Sequence, residues 1–130
     1  MSATSTADLA AALPYLRRYA RALTGSQTSG DRYAAATLET LLVDDSVLGA
    51  ARSAKEGLFR AFHAVWSSAG APVSEGDTTL ARRAQAHMAR LTPNTREALL
   101  LNSIEGFTPD EVARIVGTDT DEAEALIATA

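Results

Sequence analysis

Few side chains in this sequence have the types and spacing that chemistry requires. His63 and His87 are the only two histidines, and they fall on separate predicted helices with no Asp, Glu or Cys companion at ligand spacing. No metal site is expected from them. Asp110 and Glu111 are adjacent carboxylates, but they follow Thr108-Pro109 at a helix start, where acids cap free amides rather than work as an acid/base pair. Neither a Ser-His-Asp set nor a glycine-rich phosphate loop is present, so the sequence predicts no enzyme and no cofactor. What remains is charge that could recognise a macromolecule. From Thr118 to Ala130 there are four acidic residues (Asp119, Asp121, Glu122, Glu124) and no basic one, whereas Arg17, Arg18 and Arg21 cluster near the start.

Composition limits what can position these groups. The chain has 130 residues, 46% of them hydrophobic, a formal charge of −4 and no cysteine. Ala supplies 27 of the hydrophobic residues and Leu 15, against nine Val plus Ile. Ala, Leu and Arg favour helix while strands favour β-branched residues, so the fold class expected is all-α. No apolar run approaches the roughly 18 residues that span a bilayer, and no secretory leader pattern opens the chain. With zero Cys excluding disulfides, the expectation is a cytoplasmic protein without a membrane segment.

Periodicity then places the elements. Leu9, Leu13, Leu16, Ala20 and Leu23 recur at helical spacing over Asp8 to Thr24. Thr24-Gly25-Ser26-Gln27-Thr28-Ser29-Gly30 breaks that helix, and a second is expected from about Asp31 to Val43, with Tyr33, Thr37, Leu38, Leu41 and Leu42 inward. Ser53-Ala54-Lys55-Glu56 has the form of a capping box ahead of a third helix bearing Leu58, Phe59, Phe62, Val65 and Trp66. Residues 67–77, small, polar and rich in Gly, read as a linker between a lobe at 1–66 and a lobe at 78–130. In the second lobe a helix is expected from Thr79 to Leu91. Thr92-Pro93 starts another that reaches about Glu105, and Thr108-Pro109 a short one ending at Gly117. Asp119 opens the last. A short helix, a turn at Gly117 and a following helix make a helix-turn-helix. Each lobe is small enough to be marginal alone, so contact between them or with a partner is expected.

The run Leu13-Pro14-Tyr15-Leu16-Arg17-Arg18-Tyr19-Ala20-Arg21-Ala22-Leu23-Thr24-Gly25-Ser26 resembles the opening helix of region 2 in extracytoplasmic-function (ECF) sigma factors. Leu91-Thr92-Pro93-Asn94-Thr95-Arg96-Glu97-Ala98-Leu99-Leu100-Leu101, with Glu105 to Gly117, resembles region 4. The run from Leu13 to Asp31, and Thr24 to Asp31 most specifically, is more narrowly similar to the sigma-factor-like output domain of PhyR-type response regulators of the alphaproteobacterial general stress response. That resemblance implies two helical lobes like regions 2 and 4, an anti-sigma factor of the NepR type as partner, and a C-terminal receiver domain. Nothing in this sequence resembles the receiver, so the expectation is an output domain whose receiver lies outside it.

Two functions compete: a divergent ECF sigma factor that binds polymerase and DNA, and a mimic that sequesters the anti-sigma factor and so frees the true sigma factor. DNA chemistry separates them. A recognition helix needs Arg, Lys, Asn or Gln at base edges and cations at phosphates. Region 4 commonly carries Lys and Arg one residue apart in that helix, and aligned on Gly117 those positions here are Glu124 and Leu126. Region 2 of a sigma factor follows its third helix with Arg-rich chain, whereas no Arg or Lys occurs between Trp66 and Arg82. Residues 1–104 hold 11 basic and 9 acidic side chains, and residues 105–130 hold one basic and seven acidic. The negative charge lies where a sigma factor meets DNA, so the mimic, without nucleic-acid binding, is the expectation. Its candidate partner-binding residues, lining an apolar cleft between the lobes, are Leu38, Leu42, Phe59, Phe62, Leu100, Phe107, Val116 and Leu126.

Overall fold

A computed structural model describes residues 6–44, 51–71 and 92–129. These form helices α1 (Thr6–Thr24), α2 (Gln27–Val43), α3 (Ala54–Ser68), α4 (Pro93–Ser103), α5 (Pro109–Val116) and α6 (Thr120–Thr129). Among the described residues there is no strand, and no helix is long and apolar enough to cross a membrane. The helix expected at Thr79–Leu91 and most of the expected linker lie outside the described residues. The linker's first two residues, Ser67 and Ser68, are still helical in α3.

Helices α1 to α3 pack on one another as the first lobe, and α4 to α6 as the second. The stripe on α1 is inward as its spacing requires, with Leu16, Ala20 and Leu23 fully buried and Tyr19 beside them. The helix runs through Pro14, which has no amide to give to the preceding turn.

The turn into α2 is tighter than its composition predicts. Gly25 takes φ 79°, and Ser26 then caps α2 by accepting from the Ser29 amide at 3.2 Å. The helix therefore begins at Gln27 rather than Asp31 and contains Gly30. That glycine is required by packing: a Cβ there would sit 2.6 Å from the Arg21 nitrogen and 2.7 Å from its Cα. The buried face of α2 is Gly30, Ala34, Thr37 and Leu41. Leu42, expected inward, is exposed.

The second lobe follows its caps closely. Thr108 and Glu111 form a capping box with both arms present, and Gly117 closes α5 in the left-handed region at φ 79°. Asp119 accepts from the Glu122 amide at 2.8 Å to open α6. The helix-turn-helix is thus built as its sequence signals require.

The lobes are not separate. α1 packs on α4 and α3 on α5, and the buried apolar residues form one cluster that runs from Ala12 in α1 to Ala123 in α6.

Candidate functional site

The seam between the lobes holds three carboxylates that water barely reaches, Glu56, Glu97 and Glu105. An ionised carboxylate removed from water costs several kcal/mol unless charge and hydrogen bonds replace its hydration. Each of the three is compensated by groups from the opposite lobe.

Glu97, in the second turn of α4, accepts from the Tyr19 hydroxyl at 3.0 Å and lies 2.5 Å from His63 Nδ1. Burial, and then the negative charge of Glu97, hold the Tyr19 hydroxyl well above its ordinary pKa, so it stays a neutral donor. Tyr19 is itself wedged against Phe59 and Phe62, with ring centroids 5.1 and 5.7 Å away.

Glu105 follows α4 and receives both oxygens' bonds from Arg18, at 3.1 and 3.0 Å. Lys55 Nζ donates to the Glu105 carbonyl at 3.3 Å and stands 3.4 Å from its carboxylate. Glu56 is the mirror case, an acid of the first lobe held by a cation of the second. Arg114 donates to it through Nε and Nη2 at 3.0 and 3.2 Å. In the capping box expected at Ser53, the hydroxyl arm forms, but the Glu56 carboxylate accepts from the Arg52 amide at 3.1 Å instead of closing on Ser53. That carboxylate serves Arg114 as well.

Two further bonds complete the seam. Buried Arg96 donates to the Leu23 carbonyl at 3.2 Å, and its burial lowers its pKa from the ordinary value. At the surface, Arg52 pairs with Asp110 at 3.1 Å. Phe59 and Phe107 meet edge to face across the apolar centre at 5.3 Å.

Against this frame the eight residues expected to line a partner cleft divide. Phe59, Phe62, Leu100, Phe107 and Val116 are buried in the shared core, Leu38 and Leu126 are partly buried, and Leu42 is 87% exposed. The five buried ones are covered by the opposite lobe or by their own, so a partner could touch them only if the seam opened. Leu38 lines a groove between α1 and α2 of about 290 Å³, with Leu13, Ala34, Ala35, Arg17 and Asp31. Sequence reading passed over the seam residues. Glu56 reads locally as a cap, Arg18 as a solvated face, and His63 finds its acid 34 residues away on another lobe.

On α6, Asp121, Glu122 and Glu124 are exposed. In the described stretch after Gly117 there is no basic residue, so the second helix of the helix-turn-helix presents a negative face. Among the described residues no group of His, Cys, Asp and Glu is arranged to hold a metal.

A three-helix lobe followed by a helix-turn-helix lobe defines a two-part domain of the sigma-factor-like class. The Sigma2 domain of PhyR matches residues 9–63, and the sigma-like domain of the response regulator PhyR matches residues 88–130. The chain belongs to the PhyR sigma-like family. It is 41% identical over 124 residues to the phyllosphere-induced regulator PhyR of Methylorubrum extorquens, covering 95% of this chain and 46% of that protein. It therefore spans about half the length of that curated relative. It is also similar to the PhyR sigma-like domain of Sphingomonas sp. Fr1 in complex with NepR, at 41% identity and TM-score 0.80, covering 99% of this chain and 84% of that one. PhyR of Bartonella quintana, solved with the anti-sigma factor NepR, matches at 33% identity and TM-score 0.78, over 95% of this chain and 46% of that one.

Proposed function

We propose that this chain is a sigma-factor mimic that binds an anti-sigma factor of the NepR type and thereby frees the sigma factor which that protein holds. The observation that carries the reading is the negative face of α6 on an otherwise intact sigma-like scaffold. Phosphate neutralisation supplies much of the affinity of any DNA reader, and Asp121, Glu122 and Glu124 supply the wrong sign. Its relatives from Sphingomonas and Bartonella, solved with NepR, support the choice of partner.

The mechanism is partner switching in the cytoplasm, without catalysis. Phosphorylation of a receiver domain releases the sigma-like part from an internal contact, and the lobes at 1–66 and 78–130, tethered by 67–77, then hold the anti-sigma factor. Of the eight apolar candidates, Leu38, Leu42 and Leu126 keep surface for direct contact. Phe59, Phe62, Leu100, Phe107 and Val116 lie inside, where Phe59 and Phe107 join the two lobes.

The experiment is a calorimetric titration of the isolated 130-residue chain with purified NepR, beside a gel-shift with a promoter duplex. Binding of NepR without phosphorylation, and no shift of DNA, is the expected outcome. Absence of NepR binding, or a salt-dependent DNA shift, sinks the proposal.

A further inference from the structure

At the mouth of the seam the closed lobes expose an aromatic ring flanked by cations. Tyr15, one helical turn before Tyr19 on α1, is 47% exposed. Lys55 Nζ stands 4.8 Å from its ring centroid and the Arg18 guanidinium 5.4 Å. Both cations turn to one carboxylate, Glu105, whose side chain is fully buried while that of Arg18 stays 55% exposed. Two positive charges thus share one negative, and the excess faces outward beside the ring.

We infer that this rim is where the partner docks, and that it accepts the acidic side of an amphipathic helix. A carboxylate from such a helix would meet the exposed part of Arg18 and the outward positive field, and an apolar side chain one turn away would lie on the Tyr15 face. Tyr and Arg are the side chains most often found as energetic centres of protein interfaces. The patch draws on both lobes. Lys55, of the first lobe, is fixed beside Tyr15 by Glu105 and by the Phe107 ring of the second, 5.0 Å from its Nζ.

The inference rests on the reading of this chain as an anti-sigma binder, and calorimetry with purified NepR separates the two. Tyr15→Ala removes the ring, and Tyr15→Glu places a carboxylate where the partner's would go. Tyr15→Ala leaves the hydrogen bonds of the seam in place. With melting temperatures checked against the parent chain, the expected result is at least about tenfold weaker NepR binding for both. Arg32→Ala, exposed on α2, should bind like the parent. Parent-like affinity in Tyr15→Ala and Tyr15→Glu overturns the rim and leaves the anti-sigma reading standing. No binding by the parent overturns both. A duplex that shifts with the parent chain and not with Tyr15→Glu assigns the cationic rim to nucleic acid and overturns it as a protein-docking surface.

Discussion

Replacing Tyr19 by Phe isolates one seam contact with little change in shape. The ring keeps its packing on Phe59 and Phe62, and only the hydroxyl at 3.0 Å from Glu97 is lost. A hydrogen bond to a charged acceptor contributes about 1.5–3 kcal/mol, and the loss falls toward the upper end when the acceptor left behind is buried. Glu97 retains His63, so the expected cost is about 2 kcal/mol, read as the shift of a urea midpoint at constant slope. For a chain of this length that corresponds to a fall in Tm of roughly 7 °C. The same variant should change the alkaline limb. The folded state holds Tyr19 neutral above the pH at which it ionises in the unfolded chain. Its contribution is full below that unfolded value and declines as pH rises above about 10. Tyr19→Phe should lose stability less steeply there than the parent. A cost below about 0.5 kcal/mol, the ordinary spread for a surface change, together with parallel alkaline limbs, would refute the assignment of Tyr19 as a seam donor to a buried carboxylate.

Three further outcomes follow from the geometry. Gly30→Ala must push α1 and α2 apart, since its Cβ would meet Arg21 backbone at 2.6 Å; overpacking of this kind costs about 1–3 kcal/mol, seen as a lower urea midpoint despite alanine's better helix propensity. Gly117→Ala places a side chain at φ 79° and should cost roughly 1–2 kcal/mol in the same assay, with the α5–α6 turn showing the largest amide shifts by NMR. The Asp31 carboxyl, hydrogen-bonded by Arg21 at 2.8 and 3.0 Å, is held below its ordinary pKa by that bond first. Its contribution is present above the unfolded value and is lost as pH falls through the lowered one; a carbon-detected titration of Asp31 should move back up toward the ordinary value in Arg21→Ala, and an unchanged titration rules the pair out.

Helix content and cap positions could be read from local pattern because they depend on neighbours three or four residues away. Ser53, Thr92 and Thr108 each accept from the amide three residues on, and Gly117 ends α5 as a residue free to take positive φ. The start of α2 escaped that logic. Gly30 looks like a breaker in one dimension, and only the crossing of α1 over α2 makes a missing Cβ necessary. Candidate contact residues fared similarly: apolar spacing identified Phe59, Phe62, Leu100, Phe107 and Val116 as inward-facing but could not say that Phe59 and Phe107 meet each other across the lobes.

Composition, periodicity and caps are local or directly countable, and they disclose an all-helical chain, the helix-turn-helix, the concentration of negative charge after residue 104 and the kinship with PhyR sigma-like domains. How the lobes meet depends on contacts far apart in the chain. Glu56, Glu97 and Glu105 find their cations and donors at separations of 58, 78 and 87 residues, and no local spacing encodes which acid will be buried. Removing a carboxylate from water is affordable only where the opposite lobe delivers a guanidinium, an ammonium or a neutral hydroxyl. That same pairing leaves Tyr15, Arg18 and Lys55 together at the seam's mouth.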